Sequence, residues 1–447
     1  MTRSTSITQP ERLKKTHSRC PQCLTECPAE VWKIGDSPAK VYLKKECPEH
    51  GKSMTCISSD ARFYWMSQGD PSNQGGCCAQ AAEGDSVGYL GKNATSPNRV
   101  ESLSTCLALI EIVDSCNLAC PTCFADSPTG VGAKVKAIPL DEIKARVQGV
   151  IDRKGGIEIL QLSGGEPTLH PQFFELLSWC QEHEKIDFTL VNTNGVRLAR
   201  DTDFSTALGE CFKRGKLQLY LQFDGTELAG QKELRGADLR EMKTQAIERA
   251  GEFGIPITFA MTVIPENIDQ VWSVVEFGLA YDHVRGVSFQ PMFVSGRSHA
   301  EKEAKRLNTA DIILNLVGRS EGGLKFDDFT PLPCGDPNCA TIGYLLKMED
   351  KTRSISDFVD FGKLQAFLGD RVRYVPEDLA KCGCESEPLG GLLHQLEMDE
   401  SHTFRLFIKP FMDAHSWDQD RIDRCCTHVI RPDGALDSFC RYYLTAP

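Results

Sequence analysis

The stretch DSCNLACPTCFAD, residues 114–126, holds Cys116, Cys120 and Cys123 in a CxxxCxxC spacing. Iron–sulfur clusters normally take four cysteine thiolates. Three thiols in eight residues leave one iron without a protein ligand, much as a catalytic zinc keeps one position open. An open iron can bind a small molecule and pass it an electron. A zinc ion, or a four-ligand cluster completed from far along the chain, is the plainer alternative.

Further on, SGGEPTLHP (163–171) offers Gly164 and Gly165, which let backbone approach a ligand, and Glu166, an acceptor for an ammonium group. NTNG (192–195) places Thr193 and Asn194 within reach of a carboxylate. QFDG (222–225) places Gln222 and Asp224 where ribose hydroxyls would be read. All four could equally be turn residues.

These motifs need elements to hold them. Short apolar runs at 107–113, 157–163, 187–195, 217–225, 256–264 and 286–293 read as strands, separated by amphipathic helical stretches such as 139–154. Asp238 with Glu241, and Asn267 with Gln270, read as helix N-terminal signatures. Near-continuous apolar strands with crossover helices imply a parallel sheet covered by helices, a partial (β/α)6 barrel or an open doubly wound sheet. Both bind ligands at the C-terminal ends of the strands, where the polar motifs fall.

CxxxCxxC followed by Phe124, with GGEP at 164–167, resembles the radical S-adenosylmethionine (radical SAM) superfamily. The resemblance implies a 4Fe–4S cluster on Cys116, Cys120 and Cys123. S-adenosylmethionine would chelate the open iron, with Phe124, Gly164, Gly165, Glu166, Thr193, Asn194, Gln222 and Asp224 around it. It also implies reductive cleavage to a 5′-deoxyadenosyl radical that takes hydrogen from an unactivated carbon, with flavodoxin or ferredoxin as electron donor.

The chain carries 20 cysteines, and in a reducing compartment so many point to metal rather than disulfides. Near the start, Cys20 and Cys23 form one knuckle and CPEHG supplies Cys47 and His50. This is the layout of a zinc-ribbon or rubredoxin-like site for zinc or one iron, with Cys27 and Cys56 as rival fourth ligands. Cys77 and Cys78 are adjacent, and neighbours rarely both ligate one ion. After residue 330 come Cys334, Cys339, Cys382, Cys384, Cys425, Cys426 and Cys440. Cys334, Cys339, Cys425 and Cys440 are the expected ligands of an auxiliary 4Fe–4S cluster, with Cys426 the rival to Cys425. Cys180 and Cys211, on helical patterns, read as buried core thiols.

TCLALIE (105–111), CFADS (123–127), PLPCGDPNC, CPEHG and FIKPFMDAHSWDQDRI (407–422) look like the tetraether lipid synthase group. The likeness implies an N-terminal metal knuckle module over 1–100, a radical SAM core over 101–320, and a C-terminal α+β auxiliary-cluster domain over 321–447. It makes a lipid chain the first expected substrate, with a peptide, cofactor precursor or other small molecule as the alternative. A non-enzymatic iron–sulfur redox or sensing protein is the reading from another class. This sequence departs from the group's pattern before residue 105 and at Asp336.

Net charge is −12 over 447 residues, which argues against non-specific nucleic-acid binding. The N-terminal MTRSTSITQPERLKKTHSR shows no secretory pattern. No apolar run approaches the roughly 18 residues of a membrane span. The expectation is a cytoplasmic protein with at most transient membrane contact.

Overall fold

The computed structural model describes residues 9–66, 105–298, 306–332, 335–348, 351–358 and 402–445. The expected sites at Cys77, Cys78, Cys334, Cys382 and Cys384 lie outside the described residues.

At the N-terminus, β1 (Glu11–Arg19), β2 (Glu26–Ile34), β3 (Lys40–Cys47) and β4 (Gly51–Ser58) form an antiparallel meander. Its alternation buries Val31, Val41 and Leu43 on one face.

The six expected barrel strands are present: β5 (Leu107–Val113), β6 (Ile157–Gly164), β7 (Ile186–Thr193), β8 (Leu217–Gln222), β9 (Ile257–Val263) and β10 (Val284–Pro291). They pair in parallel in sequence order. Helices Leu140–Lys154, Phe173–Glu182, Thr202–Phe212, Arg240–Glu252 and Val271–Leu279 cross over between them. Cys180 and Cys211 are buried in the core these helices share with the sheet, as expected.

Both capping expectations are corrected. The helix Arg240–Glu252 starts after Leu239, with no side-chain cap, while Asp238 binds Arg240 instead. Asn267 accepts from the Ile264 amide and donates to the Asp224 and Thr262 carbonyls. Gln270 accepts from the Glu227 amide. For Asn267 and Gln270 tertiary partners outcompete the helix end, whereas Asp238 stays local, accepting from the amide and guanidinium of Arg240.

The last strands follow: β11 (Thr330–Pro331), β12 (Thr341–Lys347), β13 (Thr352–Ser354), β14 (Thr403–Ile408), β15 (Thr427–Ile430) and β16 (Leu436–Ser438). The region expected as a separate C-terminal domain is woven into the barrel sheet. β14 adds in parallel beside β10, and β15 adds in parallel beside β5. The two new edges approach each other, since Lys409 Nζ donates to Thr427 Oγ1 at 3.0 Å.

Side-chain alternation then decides what the barrel encloses. On β8, Leu217, Leu219 and Leu221 face the helices, leaving Gln218, Tyr220 and Gln222 inside. On β9, Ile257, Phe259, Met261 and Val263 face out, leaving Thr258, Ala260 and Thr262. Ser288 and Gln290 on β10 and Asn192 on β7 share this inner face, with Lys409 in phase just past β14. This face carries amides and hydroxyls together with Ala260, and β14 adds Arg405 and Phe407 in the same phase as Lys409.

No helix among the described residues is long and apolar enough to cross a membrane.

Candidate active site and metal centres

Cys116, Cys120 and Cys123 lie on the loop that leaves β5, all half-buried. Burial pushes the Cys116 thiol up to about 12. A thiolate is therefore costly here unless a cation meets it. Three convergent soft donors suit iron in a sulfide cluster.

The GGEP loop lies directly against the backbone that delivers Cys116. The Gly165 amide donates to the Val113 carbonyl at 2.7 Å, and the Glu166 amide to the Ser115 carbonyl at 2.9 Å. A Cβ on Gly165 would stand 2.1 Å from the Ser115 oxygen, and one on Gly164, where φ is +118°, 2.2 Å from the Val113 oxygen. The glycines here serve backbone-to-backbone contact between the two loops.

Glu166 has partners within the protein. Its Oε1 accepts from the hydroxyls of Thr168 and Thr193, each at 2.7 Å, and from the Thr168 amide at 3.3 Å. Its Oε2 accepts from the Asn194 amide at 2.7 Å. A carboxylate has about four acceptor sites; Oε1 is fully engaged, and Oε2 carries the one amide. Burial raises its pKa, and these donors oppose the rise.

Thr193 is spent the same way, giving its hydroxyl to Glu166 and accepting from the Gly195 amide at 3.1 Å. Asn194 Nδ2 donates to Asn117 Oδ1 at 2.7 Å and reaches Cys116 Sγ at 3.6 Å. Asn194 thus holds the cysteine loop.

Gln222 and Asp224 belong to a buried charge network. Arg235, from the short helix Gln231–Arg235, binds Asp224 with two nitrogens at 2.7 and 2.9 Å, and its guanidinium also touches Cys120. Gln222 donates to Asp224 and accepts from Lys243 Nζ at 3.1 Å. Lys243 Nζ also donates to the Asn194 carbonyl at 2.5 Å. Burial works against the Asp224 charge, yet Arg235 and Lys243 hold the carboxyl below the ordinary range. Burial brings Lys243 down to about 7. Buried polar groups are nearly always paired, and here they pair with one another.

Phe124, expected near the cofactor, sits in an aromatic cluster with Phe293, Phe439 and Tyr443.

Three residues in this region escape a reading by motif. Arg297 donates to the Cys120 and Ser127 carbonyls at 3.1 and 2.9 Å. Neither it nor Arg235 has a sequence signal. Lys243 does: it falls on the stripe Lys243, Ala246, Ile247, Ala250 that its helix buries.

At the N-terminus, the ligand atoms of Cys20, Cys23, Cys47 and His50 lie within 4.8 Å of one another. The Cys23–Cys47 sulfurs are 3.7 Å apart, and His50 Nδ1 is 3.7 Å from Cys20 and 3.6 Å from Cys47. A tetrahedron built on Zn–S bonds of about 2.3 Å has edges of about 3.8 Å, so the four residues fit one tetrahedral ion. Cys27 and Cys56 stand outside the group. The module docks on the segment 414–418. Lys45 Nζ donates to the Ala414 and His415 carbonyls at 2.5 and 3.0 Å, and Thr16 and Lys14 bind Asp418.

The C-terminal thiols converge beneath that segment. Cys440 Sγ accepts from the Met412 amide at 3.3 Å, Cys425 Sγ contacts the Thr427 carbonyl at 3.1 Å, and Arg421 touches Cys339. Burial pushes Cys440 up to about 11 and Cys425 well above the ordinary thiol range. Cys426 is buried among them, and its carbonyl accepts from the amide of Cys106. A soft metal group suits this donor set. The geometry brings Cys426 in beside Cys425 without choosing between them.

Comparison with known proteins agrees with this layout. Residues 110–278 match the radical SAM superfamily model, and residues 12–59 match the HMPTM N-terminal zinc ribbon domain. The chain is 25% identical over 501 residues to a 7,8-dihydro-6-hydroxymethylpterin dimethyltransferase of Methanocaldococcus jannaschii, covering 96% of this chain and 93% of that one. It is 30% identical over 189 residues to a GTP 3′,8-cyclase of Syntrophomonas wolfei, covering 41% of this chain and 55% of that one. Among solved structures, SuiB of Streptococcus suis bound to S-adenosylmethionine aligns at 18% identity with a TM-score of 0.34, over 42% of this chain and 39% of that one, too slight a likeness to carry an argument. The protein is a radical SAM enzyme, with its radical SAM domain over residues 110–278 and a zinc ribbon in front of it.

Proposed function

We propose that the enzyme acts on a small, hydrogen-bond-rich heterocycle, a cofactor precursor of the pterin class, and modifies it at carbon, with methyl transfer as the reaction and a second S-adenosylmethionine, left as S-adenosylhomocysteine, as the methyl donor. The observation that carries this reading is the polar lumen. Gln218 Nε2 donates to Thr258 Oγ1 at 2.6 Å, Asn192 Nδ2 to Ser163 Oγ at 3.1 Å, and Gln290 Nε2 to Tyr220 OH at 2.5 Å. Such a wall matches the ring nitrogens and oxo group of a pterin. A lipid chain binds by apolar burial, and seating one here would cover the donor and acceptor sites these groups still offer without replacing their hydration. The lipid substrate first expected from the sequence therefore takes second place. The relative that spans nearly the whole chain, whose name specifies a hydroxymethylpterin and a dimethyltransferase, supports the same choice.

In this reading Cys116, Cys120 and Cys123 hold the core cluster. When bound, that cluster supplies the one-electron reductive cleavage of S-adenosylmethionine and hence hydrogen abstraction from an unactivated carbon. Glu166, Asn194, Lys243 and Arg235 fix the loops around it. Cys339, Cys440, either Cys425 or Cys426, and Cys334 hold an auxiliary cluster. A flavodoxin or ferredoxin delivers electrons.

The test is formation of 5′-deoxyadenosine by reconstituted enzyme under dithionite. The additions compared are 7,8-dihydro-6-hydroxymethylpterin, a membrane lipid extract and a peptide mixture. Stimulation by the pterin alone is expected. Stimulation by lipid or peptide and none by pterin would replace this reading.

A further inference from the structure

We propose that Lys409 is the specificity-determining residue of the lumen, donating to the oxo oxygen of the substrate ring. The inference rests on the pterin-class reading above and names the group that recognises the ring's acceptor edge.

Lys409 follows β14, and its amide donates to the Phe289 carbonyl at 2.9 Å, which fixes its place beside the top of β10. The alternation of β14 puts Phe404, Leu406 and Ile408 among the apolar core and turns Lys409 the other way. Its side chain crosses the seam between the two barrel edges to reach Thr427 Oγ1. The ionisable groups around the ammonium are thiols, those of Cys426, Cys339, Cys425 and Cys440, and on the lumen side it lies near Tyr220. No carboxylate pairs with it among the described ion pairs. An ammonium has three donors, and one of them is met by Thr427.

The neighbouring lumen groups differ in kind. Gln218, Asn192 and Gln290 are neutral amides already engaged with hydroxyls. Lys409 is the cationic donor at the C-terminal end of β14, while Arg405 on the same face lies in register with Gly286 near the start of β10; a donor of that kind reads an acceptor oxygen. A 2-amino-4-oxopteridine presents such an oxygen. A 2,4-diaminopteridine of the same size and shape presents a second amino group in its place, so donor meets donor.

Fluorescence titration of the reconstituted full-length enzyme with 6-hydroxymethylpterin and with 2,4-diamino-6-hydroxymethylpteridine tests this without requiring turnover. The wild type is expected to prefer the oxo compound by about 10- to 100-fold, the range of a hydrogen bond to a charged group. Lys409→Met should bring the two affinities together, and Lys409→Arg should keep the preference. Lys409→Gln, which retains an amide, stands in if the Met variant does not fold, and should lose most of the preference. Iron content measured alongside reports whether the thiol cluster survives each change. If the wild type prefers the oxo compound and a folded Lys409→Met or Lys409→Gln variant prefers it equally, the role assigned to Lys409 is wrong while the pterin reading stands. If the wild type binds neither compound, both fall.

Discussion

The amide of Asn194 donates to Glu166 Oε2 at 2.7 Å, so one buried carboxylate ties the loop after β6 to the loop after β7. Through Asn194 Nδ2 the same tie reaches Asn117 and Cys116. Glu166 is therefore a clamp behind the cysteine loop. Its worth to the enzyme is the position it gives to other groups.

Glu166→Ala should cost about 3–5 kcal/mol of stability, because the Thr168 and Thr193 hydroxyls and the Asn194 amide all lose a charged acceptor in a buried place. Denaturant titration of the variant and wild type measures this. A loss below about 1 kcal/mol would mean that these donors find other partners.

Gly165→Ala should lower iron incorporation as well as stability. The added Cβ meets the Ser115 oxygen at 2.1 Å, and only a shift of one loop away from the other relieves it. Iron content after reconstitution is the readout. An unchanged count would show that the loop yields without disturbing the cysteines.

Much of this architecture can be read in the sequence, and the failures have physical causes. The barrel strands announce themselves as apolar runs separated by amphipathic helices. The zinc ribbon shows in the spacing of Cys20, Cys23, Cys47 and His50. The pairing of β14 with β10 and of β15 with β5 does not show. Both strands are short, and their partners lie more than a hundred residues away. The motif residues Glu166, Gln222 and Asp224 are polar by type whether they face a ligand or one another, so the sequence locates the site without saying which groups are spent inside it. Lys243 is the exception, since a lysine on an apolar helical stripe marks a buried charge by its position in the pattern alone.

Zinc should leave with its ligands and with no other cysteine of the module. Cys47→Ala is expected to lose the bound metal and to expose residues 9–66 to protease, because structural zinc sites carry much of the folding energy of small ribbons. Cys27→Ala should retain it. Metal analysis and limited proteolysis check both, and retention of metal by Cys47→Ala would remove this residue from the site.

Lys347 gives the stability a pH slope. Burial brings its amine down to about 8 in the folded protein, where it donates to the Tyr281 and Val284 carbonyls. In the unfolded chain a lysine titrates near pH ~10.4. Between these values the unfolded state binds more protons, so this group makes stability rise with pH across that window; below pH 8 its penalty is constant. Thermal melts at pH 7.5 and pH ~10 should show this rise diminished in Lys347→Met. An identical pH response in both proteins would contradict the assignment.

The central claim is that the polar barrel lumen presents a pterin-class precursor to radical SAM chemistry at the cysteine loop. Mass spectrometry of the pterin pool after anaerobic incubation with S-adenosylmethionine, reductant and 7,8-dihydro-6-hydroxymethylpterin tests it most directly, with Cys120→Ala as the control. The account predicts a pterin carrying one or more added methyl groups, formed by the wild type and absent with Cys120→Ala. An unmodified pterin in the presence of active S-adenosylmethionine cleavage, or a modified pterin formed equally by Cys120→Ala, would contradict it.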